Sequence, residues 1–276
     1  MTCEADGHQS RCSSVGQLVI GEPVGTFPFG RRSDRCPPRQ LPGAAAVVLG
    51  VYPSALHIRW SGPRTRIAAL AVDREPWPFW DGADEVDRVE RWREQVGWRP
   101  AWGRAEPAGR LNGSSGRVLR DQVLRPLGLG LDSVWLTDAL PFFHVHRGPG
   151  TQGAAMVDRY DPFAAEHGLP RHQLPDRPAP HRLIERAVTE EGQRLMDEIG
   201  RSEAPLLITL GNEALAVAAA LTTGGLPDQL SRPSYGRRFS VALPDRSIDV
   251  LPLVHPGQRS SSWTQAHARW IDSLAT

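Results

Sequence analysis

Ala46-Val47-Val48-Leu49, followed at once by Gly50-Val51-Tyr52-Pro53-Ser54-Ala55, is the stretch on which the fold turns. A short apolar run rich in β-formers, broken by Gly and Pro, reads as a buried strand with a loop at its carboxyl end. The pattern recurs three times. Val134-Trp135-Leu136 runs into Thr137-Asp138-Ala139-Leu140-Pro141, and Leu206-Leu207-Ile208 runs into Thr209-Leu210-Gly211-Asn212-Glu213. The last case is Val250-Leu251-Pro252-Leu253-Val254, which runs into His255-Pro256-Gly257-Gln258-Arg259. Helical periods lie between these strands, which predicts an α/β fold on a mainly parallel sheet. In open parallel sheets, ligands bind beyond the carboxyl ends of the strands. Four such ends carrying polar, Gly or Pro residues therefore predict one shared site.

Outward from these strands, the pattern predicts strands over 44–49, 67–72, 133–136 and 206–210, and one ending at Val254. A helix over 84–96 would turn Val86, Val89 and Val96 to one face, and a second is expected over 117–127. A third, over 181–199, places Ile184, Ala187, Val188, Leu195 and Ile199 inward. Asn212 opens a fourth helix, and Ser262 with Gln265 resembles a capping box for a last one over 263–274. Residues 97–112 read as loop, 147–180 as a Gly- and Pro-rich excursion over the active edge, and 237–243 as one arm of a hairpin. Residues 1–40 are polar, rich in Gly, Pro, Ser and Arg, and lack a sustained period. They are expected to form a flexible or loosely docked extension, with residues 41–276 as the domain.

A chain of 276 residues that is 40% hydrophobic suits one large domain with a real core. No run is long enough to span a membrane and no secretory leader is seen, so a soluble, cytoplasmic monomer is expected. The net charge of +1 gives no overall basic field, so any nucleic-acid affinity must come from a local patch. All 32 basic residues are Arg. The absence of Lys removes a Lys nucleophile and a Walker-type phosphate loop. The three cysteines, Cys3, Cys12 and Cys36, are too few for a four-cysteine cluster, and with His8 they match no familiar metal spacing. Reduced thiols, no metal and no cofactor are expected.

Taken in order, Gly50-x-x-Pro53, the Asp138 strand end, Leu210-Gly211 before a helix and the His255-Pro256 loop resemble the motifs of the uracil-DNA glycosylase superfamily. Gly113-Ser114-Ser115-Gly116-Arg117, with the run from Leu124 to Gly130, is similar to that family's helix before its mid-chain strand. The resemblance covers roughly residues 41–276. It implies a three-layer α/β/α sandwich and a monofunctional DNA glycosylase, whose partner is DNA with one base flipped out.

Cutting a base from deoxyribose passes through an oxocarbenium-like state, with positive charge on the sugar and negative charge on the departing base. The resemblance makes Asp138 the group that stabilises the sugar cation or orients water; an Asp capping a turn is the plainer alternative. It makes His255 the donor that stabilises the leaving base, where a His simply ending a buried strand is the alternative. Gly50, Tyr52, Pro53 and Ser54 would form the first loop around the substrate. Gln258 and Arg259 stand where the family inserts a wedge into the duplex. Ser260 and Ser261, with Ser262, could bind phosphate or merely cap a helix. Tyr52 and either Phe142 or Phe143 would stack on the flipped base. Asn212 is open to a base contact or an N-cap role. The run Trp77-Pro78-Phe79-Trp80-Asp81 could line the pocket or rest on the domain, and His144-x-His146 has the form of a metal-binding pair.

Two departures bear on substrate. Val51 and Tyr52 stand where many members carry an acid or amide, so the first motif lacks that group. Ser54 is small where uracil-specific members place a Tyr that blocks substituents at C5. Together they shift the expectation from plain uracil toward a C5-modified pyrimidine, such as glucosylated hydroxymethylcytosine of phage DNA. Cytosine derivatives leave poorly as anions, so a proton donor would help. Asp138, His57, His144 and His146 are the candidates. The alternatives are a repair glycosylase for uracil or another deaminated base, a non-catalytic DNA-binding member, and a metal-dependent hydrolase.

Overall fold

The computed structural model describes residues 25–258 and 260–274. In chain order these form β1 (Ala46–Gly50), β2 (Ala55–Ser61), β3 (Arg66–Arg74), α1 (Glu85–Gln95), β4 (Arg104–Pro107), α2 (Ser114–Val118), β5 (Val134–Asp138), α3 (Gln152–Ala155) and α4 (Asp161–Glu166). Then follow α5 (Pro180–Ser202), β6 (Leu206–Leu210), α6 (Asn212–Leu221), β7 (Phe239–Ala242), β8 (Ser247–Leu253) and α7 (Ser261–Leu274). Helix α2 continues through a π turn and a 3-10 turn to Leu127.

β1, β5 and β6 are buried at every position, as strands covered on both faces must be. They join a five-stranded sheet in the order β5-β1-β6-β8-β7, parallel except for β7 at one edge. Side chains alternate between two cores. Val47 and Leu49 pack with Leu183, Ala187 and Leu195 of α5 and Ala214 of α6. Ala46 and Val48 pack with Leu119 and Leu124 of the α2 run and Trp270 of α7. Helices therefore cover both faces of the sheet. Gly50 pairs with Asp138 in register, so β1 and β5 end at one level. The chain goes from β1 to β5 on one side and then crosses to β6 on the other. The carboxyl ends of β1 and β6 thus flank a topological switch point, where such sheets open a crevice.

Between β1 and β5 the chain departs from this plan. β2 pairs antiparallel with both β3 and β4 in a separate three-stranded sheet. Of its strands the sequence predicts only residues 67–72, and the expected loop over 97–112 contains β4. β2 does carry the period of a strand, since Leu56, Ile58 and Trp60 alternate with His57, Arg59 and Ser61, but the run starts directly after the Gly50–Ser54 loop and is read as part of it. β4 escapes because it is four residues long and half of it is charged, with only Ala105 buried.

Residues 25–40, expected to be part of a loose extension, are built into the domain, Arg39 by a bridge to Leu136 of β5 and the first part into this second layer. Phe27 and Phe29 are buried in its core, and the Phe29 ring lies 5.0 Å from Tyr160 and 5.8 Å from Trp60. Burying two such rings contributes roughly 3–6 kcal/mol, at about 1.5–3 each. That is a large share of a typical domain's ~5–15 kcal/mol, so the stretch belongs to the domain. The expected excursion over 147–180 contains α3, a π turn and α4; Met156 and Tyr160 of the turn and Phe163 of α4 seal the same core. On α1 the buried face is Val89 and Trp92, and Val86 is exposed. Helix α7 begins before Ser262, and the Thr264 amide donates to Ser260 O at 3.1 Å, so Ser262 is no cap. The predicted hairpin arm is the edge strand β7, paired with β8. Among the described residues no helix is long and apolar enough to cross a membrane. Cys3, His8, Cys12 and Arg259 lie outside the described residues.

Candidate active site

A cavity of about 770 Å³ opens at the switch point. Tyr52, Pro53 and Ser54 after β1, Asp138 at the end of β5, Gly211 and Glu213 after β6, and His255 and Gln258 after β8 all line it. The four strand ends singled out from the sequence thus reach one space. The opposite wall comes from the antiparallel sheet, with His57 of β2, Ala69 of β3 and Glu75 just beyond β3. Phe143, His144, His146, Gln152 and Arg177 add to the lining, as do Ser114 and Ser115 of α2, from the Gly113–Arg117 motif.

Asp138 is 4% exposed. Its carboxyl packs against the Cα of Gly50, where a Cβ would collide with Oδ1 and with the Phe79 ring. Close approach, not backbone angle, is what calls for glycine there. Behind it, Arg194 of α5 donates to the carbonyl oxygens of Asp138 (2.8 Å) and Ala139 (3.2 Å) and to Thr137 Oγ1 (3.2 Å). Arg194 also pairs with Glu191 at 2.6 Å and Glu198 at 2.8 Å. Burial raises the Asp138 carboxyl to about 8, against the pull of Arg194 and with a push from Glu198. At neutral pH the group is therefore mostly the neutral acid.

Glu75 is the residue that the sequence did not offer. It is 4% exposed, and its Oε1 accepts the Ser54 amide at 2.7 Å. Burial raises its carboxyl well above the usual range, and neighbouring Asp138 adds to the shift. The first loop carries no acid of its own, yet a carboxyl reaches it from across the cavity. The only trace in the sequence is a Glu-Pro pair three residues past the strand expected over 67–72.

The histidines behave in the opposite sense. The Gly257 amide donates to His255 Nδ1 at 3.0 Å, so the neutral ring carries its proton on Nε2. Burial lowers the pKa of His255, with Glu213 opposing. His57 and His144 are each pushed down to about 4 by burial, and His146 is lowered as well. His144 Nδ1 donates to the Phe142 carbonyl at 2.8 Å, and His146 Nε2 is 3.0 Å from Tyr52 Oη. Of the four proton donors considered from the sequence, Asp138 is the one that is loaded at neutral pH.

Aromatic walls come from Tyr52, Phe79 and Phe143. The Tyr52 ring meets His144 edge-on at 5.3 Å and lies 5.9 Å from the Arg177 guanidinium, which pairs with Glu213 at 2.6 Å. Phe79 holds a left-handed φ of 58°, unusual for a large side chain. Three expectations about the substrate contacts are corrected. Gly50 is outside the lining and packs against the Asp138 carboxyl instead. Phe142 is absent from the lining and sits 5.3 Å from the Arg35 guanidinium; its neighbour Phe143 faces the cavity. Asn212 is also outside the lining, because its Oδ1 accepts the Leu230 amide at 2.8 Å. Gly211 and Glu213 on either side of it reach the cavity instead. Ser260 and Ser261 are exposed beyond the lining. Among the described residues no three His, Cys, Asp or Glu side chains gather as a metal site.

Neither the protein-family models nor the curated proteins compared give a match to this chain. The chemistry of the cavity is what speaks to its function.

Proposed function

We propose that the protein is a monofunctional DNA glycosylase, built as a three-layer sandwich of the uracil-DNA glycosylase kind, that takes a flipped pyrimidine enlarged at C5. The observation that carries this reading is the pairing of Asp138 with His255. A buried acid that keeps its proton at neutral pH shares one cavity with a neutral imidazole that donates through Nε2.

The roles follow from those states. As the bond between C1′ and the base breaks, its electron pair leaves with the base. The Asp138 proton passes to the base, and His255 Nε2–H hydrogen-bonds the oxygen on which charge develops. Asp138 is then a carboxylate beside the oxocarbenium ion, which it stabilises. Water adds to C1′ and returns a proton to Asp138, leaving an abasic sugar and the free base. Glu75 is a positioning residue that holds the Ser54 loop while staying neutral. The chain has no Lys to form a Schiff base with the abasic sugar, in keeping with one hydrolytic step. Two features favour a substituted base. The cavity volume is near the upper end of the ~300–1,000 Å³ typical of small-molecule sites, and Ser54 at its rim is small.

The test is abasic-site formation, read as strand breaks after alkali, on DNA carrying uracil, a G·T mismatch, hypoxanthine or glucosylated hydroxymethylcytosine. Release of the C5-substituted base, lost in Asp138→Asn, is the expected result. No release from any substrate, with DNA still bound, would instead leave a non-catalytic DNA-binding protein.

A further inference from the structure

Behind the segment that carries Glu75 lies a second concavity, of about 290 Å³, which the reaction does not use. Neighbouring residues divide between the two spaces. Glu75 and Phe79 line the first, whereas Asp73, Arg74 and Trp77 line the second. Facing them, α1 presents Arg88, Arg91 and Gln95, spaced three and four apart and so on one helix face. Arg31 closes the end, paired with Asp73 at 3.0 Å.

The charge here is lopsided. Arg39 and Arg88 lie 5.6 and 5.5 Å from the half-buried Trp77 ring, a cation–π arrangement that fixes where the guanidiniums stand. With Arg31, Arg74 and Arg91 they make five cations around the groove. Two carboxylates answer them: Asp73, and Asp84, which is 2.9 Å from Arg88 and 3.9 Å from Arg91. Among the described residues, no carboxylate is within ion-pair distance of Arg39 or Arg74, though Asp73 feels the charge of Arg74; Arg74 donates to the Glu75 carbonyl at 3.3 Å. The whole chain carries only +1, so a surplus of three on one groove sets this face apart. Planar guanidinium forks held by aromatic rings suit the paired oxygens of a phosphate.

We propose that this groove binds the phosphodiester backbone of the DNA strand whose flipped nucleotide enters the neighbouring cavity. The proposal rests on the glycosylase reading for its choice of DNA. Residues 73–79 join the two spaces, so a phosphate held at Arg74 is one residue along the chain from Glu75. The groove would supply the local basic patch that a nearly neutral protein needs to hold DNA.

The experiment measures binding of a fluorescein-labelled single-stranded oligonucleotide to the full chain by anisotropy, across a salt series. Arg74→Gln and Arg91→Gln are each expected to flatten the plot of log affinity against log salt by roughly 0.7. Each should also weaken binding about threefold. Arg64→Gln, on an exposed arginine elsewhere, should change neither. Slopes equal to wild type in both groove variants, or no binding by the wild type, would overturn the proposal. Base release is followed on the same strand at saturating protein. Groove-dependent binding with no release from any substrate would remove the glycosylase and leave the groove.

Discussion

The two walls of the cavity are made by two kinds of sheet. The parallel wall places Asp138 at the last residue of β5, in register with Gly50, and His255 on the loop leaving β8; both strands are buried throughout or nearly so. The antiparallel wall places His57 on a strand face and Glu75 just past a strand end, over a core rich in aromatic side chains. The first wall holds the groups proposed to react; the second holds a neutral acid and a neutral imidazole that line the same space. Burial is the largest cause of every shift among them, upward for the two acids and downward for the two histidines. A cavity between two sheets can thus set four titratable groups in their neutral forms without a strong ion pair to any of them.

If that division is right, substitutions on the parallel wall should cost far more activity than those on the antiparallel wall. Asp138→Asn removes the proton donor while keeping its shape, and single-turnover base release should slow by about 10²–10⁴-fold. His255→Ala removes the donor to the leaving base and should cost about 10²–10³-fold. A loss below tenfold in both would break the assignment. Across the cavity, Glu75→Gln keeps an oxygen for the Ser54 amide, so its effect should stay within about tenfold, near the weight of one hydrogen bond. Burial, Arg194 and Glu198 set the Asp138 shift and Glu75 is not among its causes, so the alkaline limb of the rate profile should not move in this variant. A moved limb would mean that the two acids titrate as one unit.

Stability should show the same electrostatics. Unfolded, Asp138 ionises near ~3.9; folded, it ionises near about 8. Between these values the folded state holds the extra proton, so stability falls as pH rises, by up to about 1.4 kcal/mol per pH unit. His57 and His144, depressed to about 4, act the other way below their unfolded pKa of ~6.5. The window from ~6.5 to about 8 therefore isolates the acids. Urea midpoints there should fall with pH in the wild type and fall less in Asp138→Asn. The smallest effect is expected outside both walls: Asn212→Ala should lower stability by about 1 kcal/mol and leave base release unchanged.

The parallel wall was legible because its signals are local. Ala46–Leu49 is a buried run stopped by a glycine that must admit Asp138, and His255 follows the last strand within two residues. The antiparallel wall depends on distant partners. β2 alternates, with Leu56, Ile58 and Trp60 against His57, Arg59 and Ser61, but it abuts the first loop and its partner strands lie elsewhere in the chain; Phe29 looks like part of a polar leader until Trp60 and Tyr160 close around it. Glu75 belongs to the site only because the chain folds it back onto Ser54, and Asn212 leaves the site because Leu230 claims its side chain. Composition carries no record of such pairings. The charge state of Asp138 was hidden for the same reason, since it follows from burial at a junction of three segments.

The most direct measurement is the single-turnover rate of abasic-site formation against pH, on a strand carrying a C5-substituted pyrimidine. With Asp138 as the loaded proton donor, the rate should hold level through neutral pH and fall as pH rises through about 8. A rate that climbs through that range, or an Asp138→Asn variant with the wild-type profile, would contradict the account.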